Sequence, residues 1–352
     1  MRRFDYLFLK NGDVPASVFS RAIGISKLRE RTDIRRMQNP SVFYELESNA
    51  KYLSVKESNA IEGIATSENR LSSLMDRSVE PVGHDETEIS GYRDALELIH
   101  ANYSEMELNE ETIRDLHRMI SYRDGGEYKK HDNVIMEIDG HGNKHVHFIP
   151  TPAKETPEAM EQLVLSYIHG RQEGVEPLLL IPCFILDFLS IHPFPDGNGR
   201  VSRLLTLLLL YQDGYDAGKY MSLEERISYT KDRYYDALSK SSQGWSEGRN
   251  DYFPFIAYYL DTLSSCYIGL DRCFATISGK KATKKNRIEA AVMNSLIPIS
   301  KREIMSMLPD VSEDTVEVCL HRMMVDGRIE KIGGNRNARY RPAQHDRKHQ
   351  EQ

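Results

Sequence analysis

Residues 192–203 read His-Pro-Phe-Pro-Asp-Gly-Asn-Gly-Arg-Val-Ser-Arg, and they separate the two most apolar segments of the chain, 178–191 and 204–211. The length and apolar character of these segments predict buried helices. We therefore expect a mainly α fold in which residues 192–203, the motif loop, connect two helices of the core.

The glycines of the motif loop indicate an anion site. Gly197 and Gly199, on either side of Asn198, allow a ligand to approach the backbone closely. Their N–H groups would lie at the N-terminus of the next helix, where unsatisfied donors and the helix dipole favour an anion. Arg200 and Arg203 follow about one turn apart, so both can reach one polyphosphate.

Two further groups of the motif loop suit phosphate chemistry. Asp196 lies at the edge of the loop, where a carboxylate could hold Mg²⁺ against phosphates. His192 is the nearby group that can accept a proton near neutral pH. A Gly-Asn-Gly sequence alone would usually be a turn between helices with solvated charges around it. The added His, Asp and two Arg favour a site of phosphoryl or nucleotidyl transfer.

Sequence patterns divide the chain into residues 1–85, 86–278, 286–342 and a polar tail at 343–352. The first region begins irregularly and turns helical at Pro40. This helix should end near Gly63, because glycine readily adopts the left-handed conformation that terminates helices. The second region is expected to be a helical bundle, with further helices predicted at 87–103, 109–121, 156–173, 223–241 and 252–277.

Two smaller elements complete the predicted fold. The β-rich runs 134–138 and 144–149 surround the glycine turn 139–143 and predict a β-hairpin. Residues 286–342 predict three short helices followed by a two-strand ribbon, which is typical of a winged helix-turn-helix domain. Its helices are predicted at 287–296, 300–308 and 312–326. The tail is polar and is expected to be disordered.

Composition excludes several classes of protein. A formal net charge of −7 argues against a chain that binds nucleic acid over its whole surface. The cysteines form no CxxC pair and are expected to be reduced thiols: Cys183, Cys266, Cys273 and Cys319. The N-terminus lacks the apolar core of a signal peptide, and no apolar run is long enough to span a bilayer. We therefore expect a cytoplasmic protein.

The motif loop matches, at every fixed position, the HxFx(D/E)GNGRxxR signature of the Fic family. The chain resembles this family over roughly residues 40–275, including Gly126-Glu-Tyr-Lys, the hairpin and Ile149-Pro-Thr-Pro. The resemblance implies a Fic helical bundle with a small hairpin flap. It also implies a protein adenylyltransferase that moves AMP from ATP to a Tyr, Thr or Ser hydroxyl of a target protein, with Mg²⁺ as cofactor.

The same resemblance assigns roles to individual residues. His192 would be the general base, and Asp196 would bind Mg²⁺. The positions that it implies for ATP and its phosphates are Gly197, Asn198, Gly199, Arg200, Val201, Ser202, Arg203 and Tyr235. Tyr235 falls where relatives line the adenine pocket, although its sequence context suits a core position equally well. The hairpin would align a target segment by strand addition.

Residues 58–63, Ser-Asn-Ala-Ile-Glu-Gly, match the (S/T)xxxE(G/N) inhibitory motif of Fic proteins. On pattern alone, Ser58 and Glu62 would belong to a solvated helix end. With the motif loop present, the resemblance implies the subclass with an N-terminal inhibitory helix, in which Glu62 pairs with Arg203. Such a charge-assisted pair would withhold Arg203 from the γ-phosphate of ATP.

The C-terminal region leaves two interpretations open, DNA contact or protein contact. Acidic residues on the predicted recognition helix favour protein contact, since they would repel DNA. The exposed candidates on this helix are Glu313, Asp314, Glu317, His321 and Arg322. Basic residues that could contact phosphate are Lys331, Arg336, Arg339 and Arg341 in the wing, with Lys280, Lys281, Lys284 and Lys285 before it.

Two alternatives to protein adenylylation stay open at this point. One is Fic transfer of another phosphate-containing group, such as UMP or phosphate, because the motif fixes phosphate geometry and leaves the base pocket undefined. The other is a DNA-binding regulator that senses nucleotide through its Fic domain. The resemblance also implies self-modification and a homodimer, and nothing in the sequence predicts a membrane partner.

Overall fold

A computed structural model of the chain describes residues 2–38, 40–122, 125–138, 144–277, 283–293, 295, 298–308, 311–334 and 338–343. The described residues form two compact units. The first lies within Met1–Arg29 and Glu47–Cys266, and the second within Glu30–Leu46 and Tyr267–Gln352.

Helices dominate the chain up to residue 277. They are α1 (Phe8–Asn11), α2 (Ala16–Gln38), α3 (Pro40–Ile61), α4 (Glu68–Met75), α5 (Gly83–Asn102), α6 (Glu110–Ile120), α7 (Thr156–Gln172), α8 (Pro177–Ile191), α9 (Asn198–Gln212), α10 (Leu223–Tyr229), α11 (Lys231–Ser242) and α12 (Phe253–Ile277). The strands β1 (Ile135–Ile138) and β2 (Lys144–Phe148) form the predicted antiparallel hairpin. Its turn, 139–143, lies outside the described residues.

The helices α8 and α9 form the centre of the first unit, as the sequence predicts. Nearly all of their side chains are buried, from Leu178 to Ile191 and from Val201 to Tyr211. Each fully buried leucine or phenylalanine contributes about 1.5–3 kcal/mol to the free energy of unfolding. The motif loop is therefore held between two helices whose side chains are almost all buried.

Local signals also end and begin helices where the sequence predicts. The helix α3 ends at Ile61, two residues before Gly63, which has a φ of 82°. The side chain of Asn109 accepts a hydrogen bond from the Thr112 N–H at 2.8 Å and caps α6. Three of the cysteines are buried as free thiols, which are Cys183, Cys266 and Cys319.

Two predictions of local structure are wrong. Residues 16–38, expected to be irregular, form the 23-residue helix α2. Its buried apolar residues form a narrow stripe of Val18, Ala22 and Ile25, and many of the neighbouring residues in the sequence are charged. The single helix predicted at 223–241 is two helices that meet at Thr230. The Thr230 hydroxyl bonds to the Arg226 carbonyl at 2.8 Å, a local bond that competes with helix continuation.

The second unit contains α13 (Lys284–Met293), β3 (Ile299–Ser300), α14 (Lys301–Met307), α15 (Glu313–Val325), β4 (Ile329–Ile332) and β5 (Arg339–Pro342). The three predicted helices and the ribbon are present, and the two-residue strand β3 was too short to predict. The strands pair antiparallel in the order β3-β5-β4. A core of its own surrounds Ile288, Ile304 and Leu320.

The described residues are thus mainly α with small antiparallel sheets, in agreement with the prediction. Among the described residues, no helix is both long enough and apolar enough to cross a membrane. Several residues named from the sequence lie outside the described residues, namely Lys280, Lys281, Arg336 and the tail from 344 onwards.

A buried carboxylate on α8 ties the N-terminal segment to the core. Asp187 accepts hydrogen bonds from the Tyr6 hydroxyl at 2.8 Å, the Trp245 indole at 2.6 Å and the Tyr252 hydroxyl at 2.8 Å. Asp187 is fully buried, and this burial raises the pKa of its carboxyl. Three donors therefore depend on one acceptor that has no access to water.

We expect Asp187→Ala to lower the free energy of unfolding by about 3 kcal/mol, because it leaves buried donors without an acceptor. Urea denaturation measures the change, with Asp13→Ala, a substitution in an exposed loop, as the control. Equal stability of the two variants would contradict the assigned role of Asp187.

Candidate active site

The backbone turns sharply at two residues of the motif loop, the one that follows α8 and the one that precedes α9. His192 follows α8 with a φ of 52°, in the left-handed region that costs a non-glycine residue about 1 kcal/mol. Gly197 precedes α9 with a φ of 74°. The side chain of Asn198, the first residue of α9, accepts from the Phe194 N–H at 2.9 Å and donates to the Phe194 carbonyl at 2.8 Å. The Asn198 amide therefore closes the loop on itself.

The contacts of His192 define its protonation state. Its Nδ1 lies 3.3 Å from the Leu189 carbonyl oxygen, which can only accept, so Nδ1 carries the hydrogen. Burial lowers the pKa of His192 to about 4. The imidazole is therefore neutral near pH 7, and its Nε2 lone pair is available to accept a proton.

Arg203 and the predicted inhibitory pair, Ser58 and Glu62, lie together. Arg203 Nε donates to Ser58 Oγ at 2.8 Å, and Nη2 donates to the Ser58 carbonyl at 2.9 Å and to Glu62 Oε1 at 2.8 Å. Burial alone would lower the pKa of Arg203, yet the neighbouring Glu62 charge holds it above its ordinary value. The Arg203 side chain is 3% exposed, whereas that of Glu62 is 32% exposed.

The Glu62 carboxylate rests against bare backbone in the first turn of α9. A Cβ atom added to Gly199 would lie 2.2 Å from Glu62 Oε1, so a side chain at this position would push the carboxylate away. This turn is also where backbone N–H groups and the helix dipole favour an anion. Glu62 therefore occupies the part of the loop expected to receive phosphate.

Arg200 is less accessible than the sequence suggested. Its Nη1 donates to Glu88 Oε2 at 2.7 Å, and both side chains are almost fully buried. Its Nε has no hydrogen-bond partner among the described residues. Val201 is also buried, and the buried Ser202 hydroxyl donates to the Gly199 carbonyl at 2.7 Å. Val201 and Ser202 can thus meet a nucleotide only through their backbone.

Asp196 offers one accessible carboxylate, which could serve as a ligand to a magnesium ion. Its side chain is 85% exposed, and Oδ1 accepts from the Gly197 N–H at 2.7 Å. Within the described part of the chain, no group of three His, Cys, Asp or Glu side chains could hold a metal. Mg²⁺ commonly binds through one or two carboxylates with phosphate oxygens and water, and one accessible carboxylate suits that mode.

Tyr235 lies beside the site and its neighbour Tyr234 lies in the core. Tyr235 is 44% exposed and Tyr234 is 6% exposed. Burial, followed by the charge of Glu62, raises the pKa of Tyr235. The sequence left open whether Tyr235 faces the adenine pocket or lies in the core. Tyr234, and not Tyr235, is the tyrosine of this pair that lies in the core.

Sequence reasoning missed His117, which supports the motif loop from α6. Its ring stacks on Phe194, with centroids 3.8 Å apart and planes at 4°. Its Nδ1 accepts from the Gly126 N–H at 2.8 Å, so Nε2 carries the hydrogen and donates to the Asp196 carbonyl at 3.1 Å. Nothing in the sequence around His117 distinguishes it from an ordinary helix residue.

Residues 107–210 match the model of the Fic/DOC family. A Fido domain-containing protein of Dictyostelium discoideum is 29% identical over 100 residues, which are 27% of this chain and 66% of that protein. The protein adenylyltransferase Fic of Drosophila ananassae is 26% identical over 179 residues, 49% of this chain and 32% of that protein. The chain thus spans about a third of the length of the Drosophila relative and just under two thirds of the Dictyostelium one.

Solved structures of Fic proteins share the fold. A Fic family protein from Desulfovibrio desulfuricans aligns with a TM-score of 0.60 at 20% identity, covering 94% of this chain and 97% of that one. A Fic domain containing signaling protein from Bacteroides thetaiotaomicron aligns with a TM-score of 0.59 at 25% identity, covering 70% and 94%. The fold and the motif loop define a Fic helical bundle. Residues 107–210, which the family model matches, form a Fic domain within this chain.

We expect His192 to stay neutral from pH 8 down to about pH 5, because burial lowers its pKa to about 4. NMR of ¹³C-labelled histidine follows the titration, and the His192→Ala variant assigns the signal. A midpoint near the ordinary value of about 6.5 would contradict the burial argument.

Proposed function

We propose that the chain is a protein adenylyltransferase that transfers AMP from ATP to a Tyr, Thr or Ser hydroxyl, and that Glu62 inhibits it. The observation that carries this proposal is the 2.8 Å pair between Arg203 Nη2 and Glu62 Oε1, at a site that also offers a neutral His192. The adenylyltransferase activity named for the Drosophila relative supports the choice of reaction.

The described residues suit each part of this reaction. The ATP phosphates would bind at the start of α9, against Gly197 and Gly199, with Arg203 at the γ-phosphate. His192 Nε2 would take the proton of the target hydroxyl while the hydroxyl oxygen attacks the α-phosphorus. The bond from the α-phosphorus to the bridging oxygen breaks, and pyrophosphate leaves. Mg²⁺, held by Asp196 when bound, would neutralise phosphate charge.

Inhibition follows from the hydrogen bonds of Arg203. Its Nε and Nη2 are already committed to Ser58 and Glu62, so a γ-phosphate must displace the Glu62 carboxylate to pair with the guanidinium. A charge-assisted hydrogen bond contributes about 1.5–3 kcal/mol. The resting protein would therefore bind ATP in an unproductive arrangement.

We expect Glu62→Gly to raise AMP transfer, including self-modification, by about tenfold or more, since 1.4 kcal/mol corresponds to a factor of ten. Transfer of label from α-³²P-ATP measures the rate, and Glu107→Gly, in an exposed loop outside the site, is the control. Adding His192→Ala to Glu62→Gly should abolish transfer. An unchanged rate in Glu62→Gly would contradict the inhibitory role.

Intact mass of the Glu62→Gly protein after incubation with ATP, UTP or CTP in Mg²⁺ distinguishes the alternative donors. We expect a gain of one AMP from ATP. A gain of one UMP or one phosphate would replace adenylylation by another Fic transfer.

The homodimer and the cytoplasmic location stay predictions of the sequence.

We infer that residues 286–342 form a winged helix-turn-helix that contacts protein and does not bind DNA. The exposed N-terminal part of α15 is acidic, with Glu313, Asp314 and Glu317. Three arginines already pair with carboxylates, one directly before β4 and two on β5. These pairs are Arg328–Glu289 at 3.1 Å, Arg339–Glu303 at 3.2 Å and Arg341–Glu330 at 2.5 Å. Paired arginines have less charge to offer to phosphates.

We expect no sequence-specific gel shift with a randomised duplex pool at 150 mM salt, because the acidic start of α15 repels the backbone of DNA. Fluorescence anisotropy at 50 and 150 mM salt measures any nonspecific binding. Submicromolar binding that survives 150 mM salt would favour the DNA-binding regulator instead.

A further inference from the structure

Lys129 lies outside the motif loop and hydrogen-bonds to it on both sides of His192. Its backbone N–H donates to the Pro193 carbonyl at 2.8 Å, and its Nζ donates to the Ile191 carbonyl at 3.1 Å. These carbonyls belong to the residues directly before and after His192. The Nζ group also donates to Asn133 Oδ1 at 2.9 Å.

The position of these bonds matters because His192 adopts an unfavourable backbone conformation. The Ile191 carbonyl ends α8 and lacks the intrahelical partner that carbonyls further from the end possess. A cation at a helix C-terminus is also favoured by the helix dipole. Lys129 thus supplies hydrogen bonds and charge at the turn where a non-glycine residue has a φ of 52°.

The charge of Lys129 acts on His192 as well as on the backbone. Lys129 is 4% exposed, and burial lowers the pKa of its ammonium to about 8, so it is mostly protonated at pH 7. Beyond burial itself, the groups that influence the pKa of His192 are the Leu189 carbonyl, Lys129, Glu62 and Asp196. Of these, Lys129 is the one that opposes protonation of the imidazole.

We propose that Lys129 is a positioning residue for the transfer reaction, which holds the left-handed turn of His192 and keeps the imidazole neutral. This inference rests on the proposed function for its catalytic consequence. Its physical content concerns His192 alone and can be measured without any activity.

The test compares Lys129→Met, Lys129→Gln and Lys129→Arg, each combined with Glu62→Gly. Lys130→Met in the same background is the matched control, since Lys130 is adjacent and exposed. Thermal melting first identifies the folded variants, and Lys129→Gln serves where Lys129→Met does not fold. For AMP transfer, kcat and the KM for ATP are measured separately.

We expect kcat of Lys129→Met to fall about ten- to a hundredfold, because a displaced catalytic group costs up to about 100-fold. The KM for ATP should change less than about twofold, because the phosphate-binding backbone lies elsewhere in the loop. Lys129→Arg keeps the cation and should restore most of kcat. Lys130→Met should behave as the parent does.

The second readout is the NMR titration of His192, which needs no turnover. We expect its midpoint to rise in Lys129→Met and to stay low in Lys129→Arg. A purely structural role would lower the melting temperature and leave this midpoint in place, and that result would overturn the proposal. If the Glu62→Gly parent transfers nothing, the proposed function fails while the titration still decides the role of Lys129.

Discussion

Two arginine side chains are buried on α9, and the site is arranged around the need to neutralise them. Arg200 and Arg203 are each 3% exposed or less, and an unpaired charge in such a place costs several kcal/mol. Each therefore has a glutamate partner, Glu88 for Arg200 and Glu62 for Arg203. If Glu62 leaves, another anion must take its place. The same requirement that stabilises the Arg203–Glu62 pair would make a phosphate a favourable substitute, so inhibition and productive binding would be two solutions of one electrostatic constraint.

The two partners differ in their access to water. Glu88 is 5% exposed, so separating it from Arg200 would leave two charges unpaired in the interior. Glu62 is 32% exposed and lies just beyond the end of α3, where its carboxylate can be hydrated as it leaves. This difference suits Glu88 to a permanent pair with Arg200 and, under the proposed function, suits Glu62 to an exchangeable pair with Arg203. The two ion pairs have similar lengths, 2.7 and 2.8 Å, so the difference between the two glutamates is their exposure to water.

The place of the motif loop could be predicted because the segments on either side are strongly apolar, and its proposed chemistry could be read because the candidate groups lie within twelve consecutive residues. The proximity of Glu62 to Arg203 could be predicted only through resemblance to a family, since the two are 141 residues apart. Nothing in the sequence indicates a supporting role for Glu88 or His117, and Lys129 stands out only as the last residue of the Fic-like stretch Gly126-Glu-Tyr-Lys. They support the loop through a buried ion pair, ring stacking and bonds to backbone carbonyls, and none of these leaves a trace in the local sequence. The helix α2 was not predicted for a related reason. Its few apolar positions are interspersed with many charged residues, so the helical periodicity of apolar residues is weak in the sequence.

Two of the residues that support the motif loop, His117 and Lys129, lie twelve residues apart in the chain and shortly before the hairpin. His117 on α6 holds the Asp196 end, and Lys129 holds the His192 end a few residues before β1 begins at Ile135. Asn133 connects the Lys129 ammonium to the base of the hairpin. If the hairpin aligns a target by strand addition, the strand β1 that receives the target is continuous in sequence with the segment that holds His192, the proposed general base. A strand added at β1 would then also steady Asn133 and Lys129, so that target binding and the position of His192 would be coupled through three hydrogen bonds of a single lysine.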